Sequence, residues 1–280
     1  MKNAIALGSF DGLHSGHRAV LSETFGYRSV AVTFRIPPKA VGQNGCLLMT
    51  PEDKEKALKD FGVDKIEWMD FETVREQSPE EFLQRLLKKY QPVRIVCGYN
   101  YRFGKDAAGD AVLLAKFCAE HGVEAKIVGE ISAEGQSVSS TGIRALLREG
   151  KVEEANRLLY RDFCFSGEVL HGDARGRTLG FLTANLVYPK ELASLKNGVY
   201  AVKVCWEDEV QQGLANIGFR PTFQTESAFC EAYIFGFEGD LYGKELTVYP
   251  ERFLRPERQF SSVAELREAI SRDIASVKDV

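Results

Sequence analysis

Over the first half of the chain, short apolar runs alternate with stripes of helical period. Ala4-Ile5-Ala6-Leu7 reads as a strand, and a helix-compatible run leaves from about His17. Ser29-Val30-Ala31-Val32-Thr33-Phe34 is β-branched and predicts a second strand. Thr50-Pro51-Glu52-Asp53 supplies a cap, a first-turn proline and an acidic first turn, with Ala57, Leu58 and Phe61 on one helical face. Val63–Met69 predicts a third strand. Ser78-Pro79-Glu80-Glu81 repeats the helix-start signal in capping-box spacing, and Phe82, Leu83, Leu86, Leu87 and Tyr90 follow at helical period. A strand at Val93–Cys97, a helix near Ala111–His121 and a strand at Glu124–Val128 continue the alternation. Such an order predicts a parallel sheet, because each parallel pair needs a crossover.

Ser139-Ser140-Thr141-Gly142-Ile143-Arg144 then leads into a helical pattern at Leu146 and Leu147, and Val152, Ala155, Leu158 and Leu159 make a second short helix. The texture changes near Arg161. Short strands follow at Phe165–Leu170, Val199–Val204, Leu214–Ile217, Cys230–Phe235 and Leu246–Tyr249, punctuated by glycine-bearing turns. No long helical pattern intervenes, which predicts a small antiparallel barrel. Ser262-Val263-Ala264-Glu265 is a capping box, and Val263, Leu266, Ile270 and Ile274 form the stripe of a closing helix. The expected division is an α/β domain over residues 1–160 and a β-barrel domain with a C-terminal helix over residues 161–280.

Composition fits this picture. A chain of 280 residues accommodates two cores, and 44% hydrophobic with 27% charged residues is the usage of a soluble globular protein. The formal net charge of −4 argues against nucleic acid as the main partner, so bound phosphates need a local positive or dipolar site. Six scattered cysteines, several inside apolar runs, have no metal-ligand spacing and read as buried free thiols. With no N-terminal signal pattern and no long apolar span, neither a membrane nor export is expected, and the cytoplasm fits best.

Candidate chemistry begins at Gly8-Ser9-Phe10-Asp11-Gly12-Leu13-His14-Ser15-Gly16-His17, between the first strand and first helix. Backbone N–H groups at a helix start bind phosphate, Gly12 and Gly16 permit close approach, and His14 and His17 add donors. Ligands of parallel sheets bind beyond the carboxyl ends of the strands. Gly8–Asp11 and Gly98-Tyr99-Asn100-Tyr101 both stand at such ends, so they are expected to face one crevice. Taken singly, these features have plainer readings: surface histidines in a loop, an ordinary helix cap at Ser139–Arg144, a solvated strand glutamate at Glu231, a polar hairpin turn at Arg175–Arg177.

Taken together they resemble one family. Gly8–His17, the run Gly98-Tyr99-Asn100-Tyr101-Arg102-Phe103-Gly104-Lys105 and Ser139–Arg144 are similar to the signatures of the bacterial bifunctional riboflavin kinase/FMN adenylyltransferases, within the HxGH nucleotidyltransferases. The run from Gly167 to Leu186 resembles the riboflavin kinase signature, and so, in order, do Asn197–Val202, Asn216–Phe223, Cys230–Phe235, Gly239–Lys244 and Phe253–Glu257. The resemblance spans nearly the whole chain. It implies a Rossmann-like α/β domain in which Gly8, Phe10, Asp11, Gly12 and Gly16 form the nucleotide turn and His14 and His17 contact ATP phosphates. By the same resemblance, Asn100 and Phe103 hold FMN, and Ser140, Thr141 and Arg144 close over the nucleotide. In the barrel it places Glu231 as catalytic base, Arg255 as a charge partner near flavin or phosphates, and Gly172, Arg175, Gly176 and Arg177 in a phosphate loop.

The chemistry asks different things of the two halves. The phosphate of FMN is already an anion, so adenylyl transfer needs alignment and charge neutralisation rather than a strong base. Phosphorylating a neutral hydroxyl does benefit from a base. Thr183 and Asn185, two apart on one side of an extended chain, offer hard oxygen ligands suited to Mg²⁺ on ATP phosphates. Three departures from the family pattern stand out. Phe34-Arg35-Ile36-Pro37-Pro38 lacks the histidine of F-x-P-H-P, Leu182 replaces the usual proline before Thr183, and Met1 lies so close to the first strand that no N-terminal extension is expected. The expected function is conversion of riboflavin and ATP to FMN and ADP, then of FMN and ATP to FAD and pyrophosphate, with small molecules as partners and a homo-oligomer left open. Two rivals stay open: one surviving activity, the kinase first, or a non-catalytic flavin or nucleotide sensor.

Overall fold

A computed structural model describes residues 1–40, 46–133, 135–170, 183–219 and 228–278. The chain divides into two compact units. One holds the N-terminal segment with Leu47–Ile143 and Leu158–Arg161; the other holds Cys46, Arg144–Arg157 and the chain from Asp162 on.

In the first unit, strands β1 (Asn3–Leu7), β2 (Arg28–Phe34), β3 (Lys65–Met69), β4 (Arg94–Gly98) and β5 (Glu124–Val128) form one sheet in the order β3-β2-β1-β4-β5. Every pairing is parallel. Successive crossovers build one half away from β1, and the chain then returns to its other side. The gap between β1 and β4 is therefore the switch point, where the strand ends can hold a ligand. Alternation along the strands decides which helices cover which face. Ile5, Leu7, Val30, Val32, Ile95 and Cys97 pack with Phe82, Leu83 and Leu86 of α4 (Pro79–Tyr90) and Leu114 and Phe117 of α5 (Ala111–Glu120). Ala6, Ala31 and Val96 point the other way, onto Val20 and Leu21 of α1 (Ser15–Ser22) and Ala57 and Leu58 of α2 (Pro51–Asp60). Local signals set the helix starts: the Ser78–Glu81 capping box forms in full, and Thr50 accepts the amide of Asp53.

Some boundaries differ from the pattern. The first helix starts at Ser15 with His14 as its N-cap, two residues earlier than the apolar stripe indicates. A one-turn helix at Phe71–Val74 (α3) and a two-residue hairpin, β6 (Ser132–Ala133) with β7 (Gln136–Ser137), are too short to leave a periodic signal. The expectation of buried thiols holds for Cys97, Cys118 and Cys230, while Cys46, Cys164 and Cys205 are only partly buried. Burial pushes the thiols of Cys97 and Cys118 up to about 12 and about 11, so neither is a ready nucleophile.

In the second unit, α6 (Ser140–Glu149, from Arg144 on) and α7 (Val152–Leu158) precede β8 (Phe165–Glu168), β9 (Thr183–Val187), β10 (Gly198–Trp206), β11 (Glu209–Phe219), β12 (Ala228–Ile234), β13 (Glu245–Arg255) and a final helix α8 (Val263–Lys278). The six strands form one antiparallel sheet in the order β8-β13-β10-β11-β12-β9. The amide of Leu170, just past β8, donates to the carbonyl of Asn185 on β9 at 2.8 Å, which brings the two ends of the sheet together into a nearly closed barrel. Tyr200, Val202, Val204, Ala215, Cys230, Ala232 and Val248 fill its interior.

The strands run longer than their apolar cores. Glu209–Gln212 is exposed and carries no alternation, yet it pairs with the end of β10. On β13, Pro250 would ordinarily end a strand. Here the strand continues past it through two register shifts against β10, where the ladder tolerates a missing N–H.

Candidate active sites

The turn after β1 is built by unusual backbone. Phe10 and Leu13 have φ of 48° and 42°, and Gly12 has φ of 84°. A Cβ at Gly12 would stand 2.7 Å from the Leu48 side chain and 2.9 Å from that of Leu159, so only glycine fits this bend. Phe10 and Leu13 are the buried anchors that hold the strained turn in place. His14 then ends the loop as the N-cap of α1 and makes no side-chain capping bond. The His14 and His17 rings stack with centroids 3.7 Å apart, and Phe10 meets His17 edge-on at 5.5 Å. Two imidazoles are thus presented at the start of α1, where first-turn amides lack intrahelical acceptors.

Around this turn the predicted residues take different positions. Asp11 is 1% exposed, and its Oδ1 accepts the amide of Leu48 at 2.9 Å. The Ser140 hydroxyl donates to the Asp11 carbonyl at 3.0 Å, while Ser139 caps the helix by accepting the amide of Gly142 at 3.1 Å. Gly8 and Gly16 have their own ring neighbours, Phe10 and His14. Thr141 is exposed. Arg144, counted with the second unit, donates Nε to the carbonyl of Cys46 at 2.6 Å.

The second segment of the crevice leaves β4, which pairs with β1 through Leu7 and Cys97, so both segments emerge from neighbouring strand ends. Asn100 is exposed there. Phe103 is 6% exposed, and its ring packs near Phe82 at 5.5 Å and Tyr101 at 5.9 Å. Its position is that of a core residue beneath the segment, with Asn100 and Tyr99 on the outside.

On the barrel, register brings a second constellation together. Asn185 of β9 lies opposite Glu231 of β12, and Glu231 lies opposite Asn216 of β11. Directly paired residues of antiparallel strands share a face. That face is the outer one, since Cys230, Ala232 and Ile234 point inward. The Thr183 hydroxyl donates to Glu231 Oε1 at 3.0 Å. Thr183, Asn185 and Glu231 therefore form one polar group on the barrel wall, with hydroxyl and amide oxygens beside a carboxylate. Thr183 also lines a cleft with Val169, Ile234, Leu241 and Tyr242. Gly172, Arg175, Gly176, Arg177, Leu182 and Arg220–Phe223 lie outside the described residues.

Arg255 is committed to the fold. Its Nε and Nη2 donate to Asp273 of α8 at 3.0 and 2.8 Å, and both side chains are largely covered, at 22% and 11% exposure. This bidentate pair and the donation of Arg252 to the Ser276 carbonyl fasten α8 to β13. Asp273→Ala, which strands the guanidinium, is expected to destabilise this unit by about 2 kcal/mol, read as a lower urea midpoint.

Two residues receive no role of their own in the sequence reading, although Asn216 opens the run Asn216–Phe223. Asn216 sits between Glu231 and Glu257, donating Nδ2 to Glu257 Oε1 at 3.0 Å; the Glu257 carboxylate lies so close to Gly218 that a Cβ there would be 2.6 Å away. Nothing in the spacing of β11 and a distant loop announces that contact. Lys54 is buried on the inner face of α2. Its signal was available, because position 54 precedes Ala57, Leu58 and Phe61 at helical spacing, on the apolar stripe itself.

The family model described as FAD synthetase matches residues 1–142, and that described as riboflavin kinase matches residues 159–280. A bifunctional riboflavin kinase/FMN adenylyltransferase of Listeria monocytogenes is 36% identical over 98% of this chain and 90% of its own. Enzymes of the same description from Bacillus subtilis and Escherichia coli K12 are 32% and 33% identical, over 97% and 98% of this chain and 90% and 91% of theirs. A crystal structure from Streptococcus pneumoniae, named as a macrolide-efflux protein, superposes with a TM-score of 0.91 at 31% identity, over 100% of this chain and 94% of that one. Among the described residues, no helix is long and apolar enough to cross a membrane.

Proposed function

We infer the division of labour along this chain from one premise: it belongs to the bifunctional riboflavin kinase/FMN adenylyltransferase family. The protein is accordingly an enzyme of flavin cofactor synthesis, phosphorylating riboflavin to FMN and adenylylating FMN to FAD. Our reading assigns adenylyl transfer to residues 1–160 and the kinase to residues 161–280. The observation that carries it is the grouping of Thr183, Asn185 and Glu231 on the barrel, in a different unit from the stacked His14 and His17.

At the kinase site, the 5′-hydroxyl of riboflavin attacks the γ-phosphorus of ATP, the bond to ADP breaks, and the hydroxyl proton passes to Glu231. The hydrogen bond from Thr183 orients the Glu231 carboxylate on the barrel wall. Thr183 Oγ1 and Asn185 Oδ1 fit Mg²⁺, a hard ion that takes few protein ligands beside substrate phosphates and waters. When bound, Mg²⁺ supplies charge neutralisation for the transferring phosphoryl group.

At the adenylyl-transfer site, an FMN phosphate oxygen attacks the α-phosphorus of ATP and pyrophosphate leaves. In this reading His14, His17 and the first-turn amides of α1 stabilise the charge on the phosphates, and Asn100, exposed beyond the end of β4, helps hold the flavin. Phe103 shapes that segment from beneath, and Ser140 steadies the turn through the Asp11 carbonyl. Arg255 acts on the kinase by positioning α8. Small molecules are the partners in this reading. The net charge of −4 speaks against nucleic acid, and the buried thiols of Cys97, Cys118 and Cys230 suit a cytoplasmic enzyme.

Incubation with riboflavin, ATP and Mg²⁺, with the flavins resolved over time, tests the whole. FMN followed by FAD is expected. FMN alone would leave only the kinase, and unchanged riboflavin would leave a sensor.

A further inference from the structure

Lys54 is a charge that the two reactions, as derived, do not use. It is 1% exposed. Its ammonium donates to the carbonyls of Phe34 at 2.9 Å and Arg35 at 3.1 Å, where β2 ends. That end lies beside the turn after β1: Leu7 pairs with Val32, and the Thr33 hydroxyl donates to the Ser9 carbonyl at 3.0 Å. From the turn, the buried carboxylate of Asp11 acts on Lys54, favouring its charged form. Asp11 is in turn held by the amide of Leu48, shortly before α2. One lysine thus joins the end of β2 and the start of α2 to the turn that carries His14 and His17.

An apolar side chain could fill this space without the desolvation cost of a buried ammonium. What it could not supply is a positive charge against Asp11. We propose that Lys54 is a positioning residue for adenylyl transfer, its charge holding Asp11 and with it the backbone that presents His14 and His17 to phosphate. The proposal rests on the assignment of this turn to that reaction.

Titration separates the charge from the packing. Burial, opposed by the attraction of Asp11, lowers the Lys54 pKa to about 8. The other charged groups nearby have their own partners. Asp53 accepts the Thr50 hydroxyl, Glu55 pairs with Lys59, and Arg35 reaches Glu52 and Glu55 at 3.6 and 4.0 Å. Above pH 8 the neutral amine keeps two N–H groups, enough for both carbonyls, and loses only its charge. Stability moves the opposite way. The folded pKa lies below the unfolded value, so between about 8 and 10.5 the unfolded chain holds more protons and rising pH favours the fold through this group. A rate lost in that range is therefore not unfolding caused by Lys54.

The test measures FAD formation from supplied FMN and ATP across this pH range. In the unmodified enzyme kcat should fall above pH 8, approaching about tenfold per pH unit. Lys54→Arg, charged throughout, should lose that limb. Lys54→Met should be slower than the unmodified enzyme by on the order of 10²-fold below pH 8, with no limb of its own, so that the two rates converge as the pH rises. Asp11→Asn keeps an oxygen for the Leu48 amide but removes the charge that Lys54 holds, so it should be slower and should also lose the limb. A wild-type limb in Lys54→Arg, or a limb that survives in Asp11→Asn, overturns the proposal, and both outcomes can be read even if Lys54→Met does not fold. His17→Ala is the control. Should it leave FAD formation intact, the assignment of the turn fails; should it stop FAD formation while the Lys54 variants keep the wild-type profile, only the role of Lys54 fails.

Discussion

Glu231→Ala should lower the rate of FMN formation from riboflavin by about 10²–10⁴-fold, the range that a positioned general base contributes. FAD formation from supplied FMN should persist, because the stacked histidines lie in the other compact unit. Glu231→Gln is the sharper variant. Its amide oxygen can still accept from Thr183, and the strand register that sets Asn185 opposite is a backbone property. Loss of turnover in Glu231→Gln, with the fold intact, therefore isolates the proton acceptor from the shape of the wall. Full kinase turnover in that variant would remove Glu231 from the role.

His17→Ala is expected to produce the converse, a loss of about 10²–10³-fold in FAD formation from FMN with riboflavin phosphorylation unchanged. The reason lies in what the reaction lacks. With an anionic nucleophile there is no proton to remove, so the rate depends on donors already aimed at the phosphates. The His17 ring is held between His14, stacked at 3.7 Å, and the buried Phe10, so its removal takes away both a donor and the support of its neighbour. Equal loss of both activities would mean that the two reactions share a site.

Local chemistry made much of this legible from the residues alone. The Ser78–Glu81 capping box and the Thr50 cap appear where the spacing places them, since a cap is decided by a few neighbouring residues. The parallel sheet followed from alternation, and the barrel from a run of short strands. What stayed hidden depends on partners distant in the chain. Pro250 marks a stop in isolation, yet β13 passes through it because β10 accepts the shifted register. Phe103 belongs to a flavin-like signature, but its burial reflects Phe82 and Tyr101. Asp11 and Arg255 are likewise taken up by Leu48 and Asp273, contacts that motif spacing cannot show. The stacked imidazoles and the Thr183–Glu231 bond are different, because motifs on neighbouring elements needed only the fold to bring them together.

The contact between Leu170 and Asn185 has a consequence for the composition of the site. A strand at the rim of an open sheet exposes unpaired amides and carbonyls that can recruit another chain, and proteins commonly guard such rims with lysines, prolines or inward charges. Here β9 is paired with β12 on one side and meets Leu170, two residues past β8, on the other. Protection from self-association comes from the backbone. The outward positions of β9 are thereby released from guard duty, and Thr183 and Asn185 can be small, neutral and oxygen-bearing, as the chemistry requires.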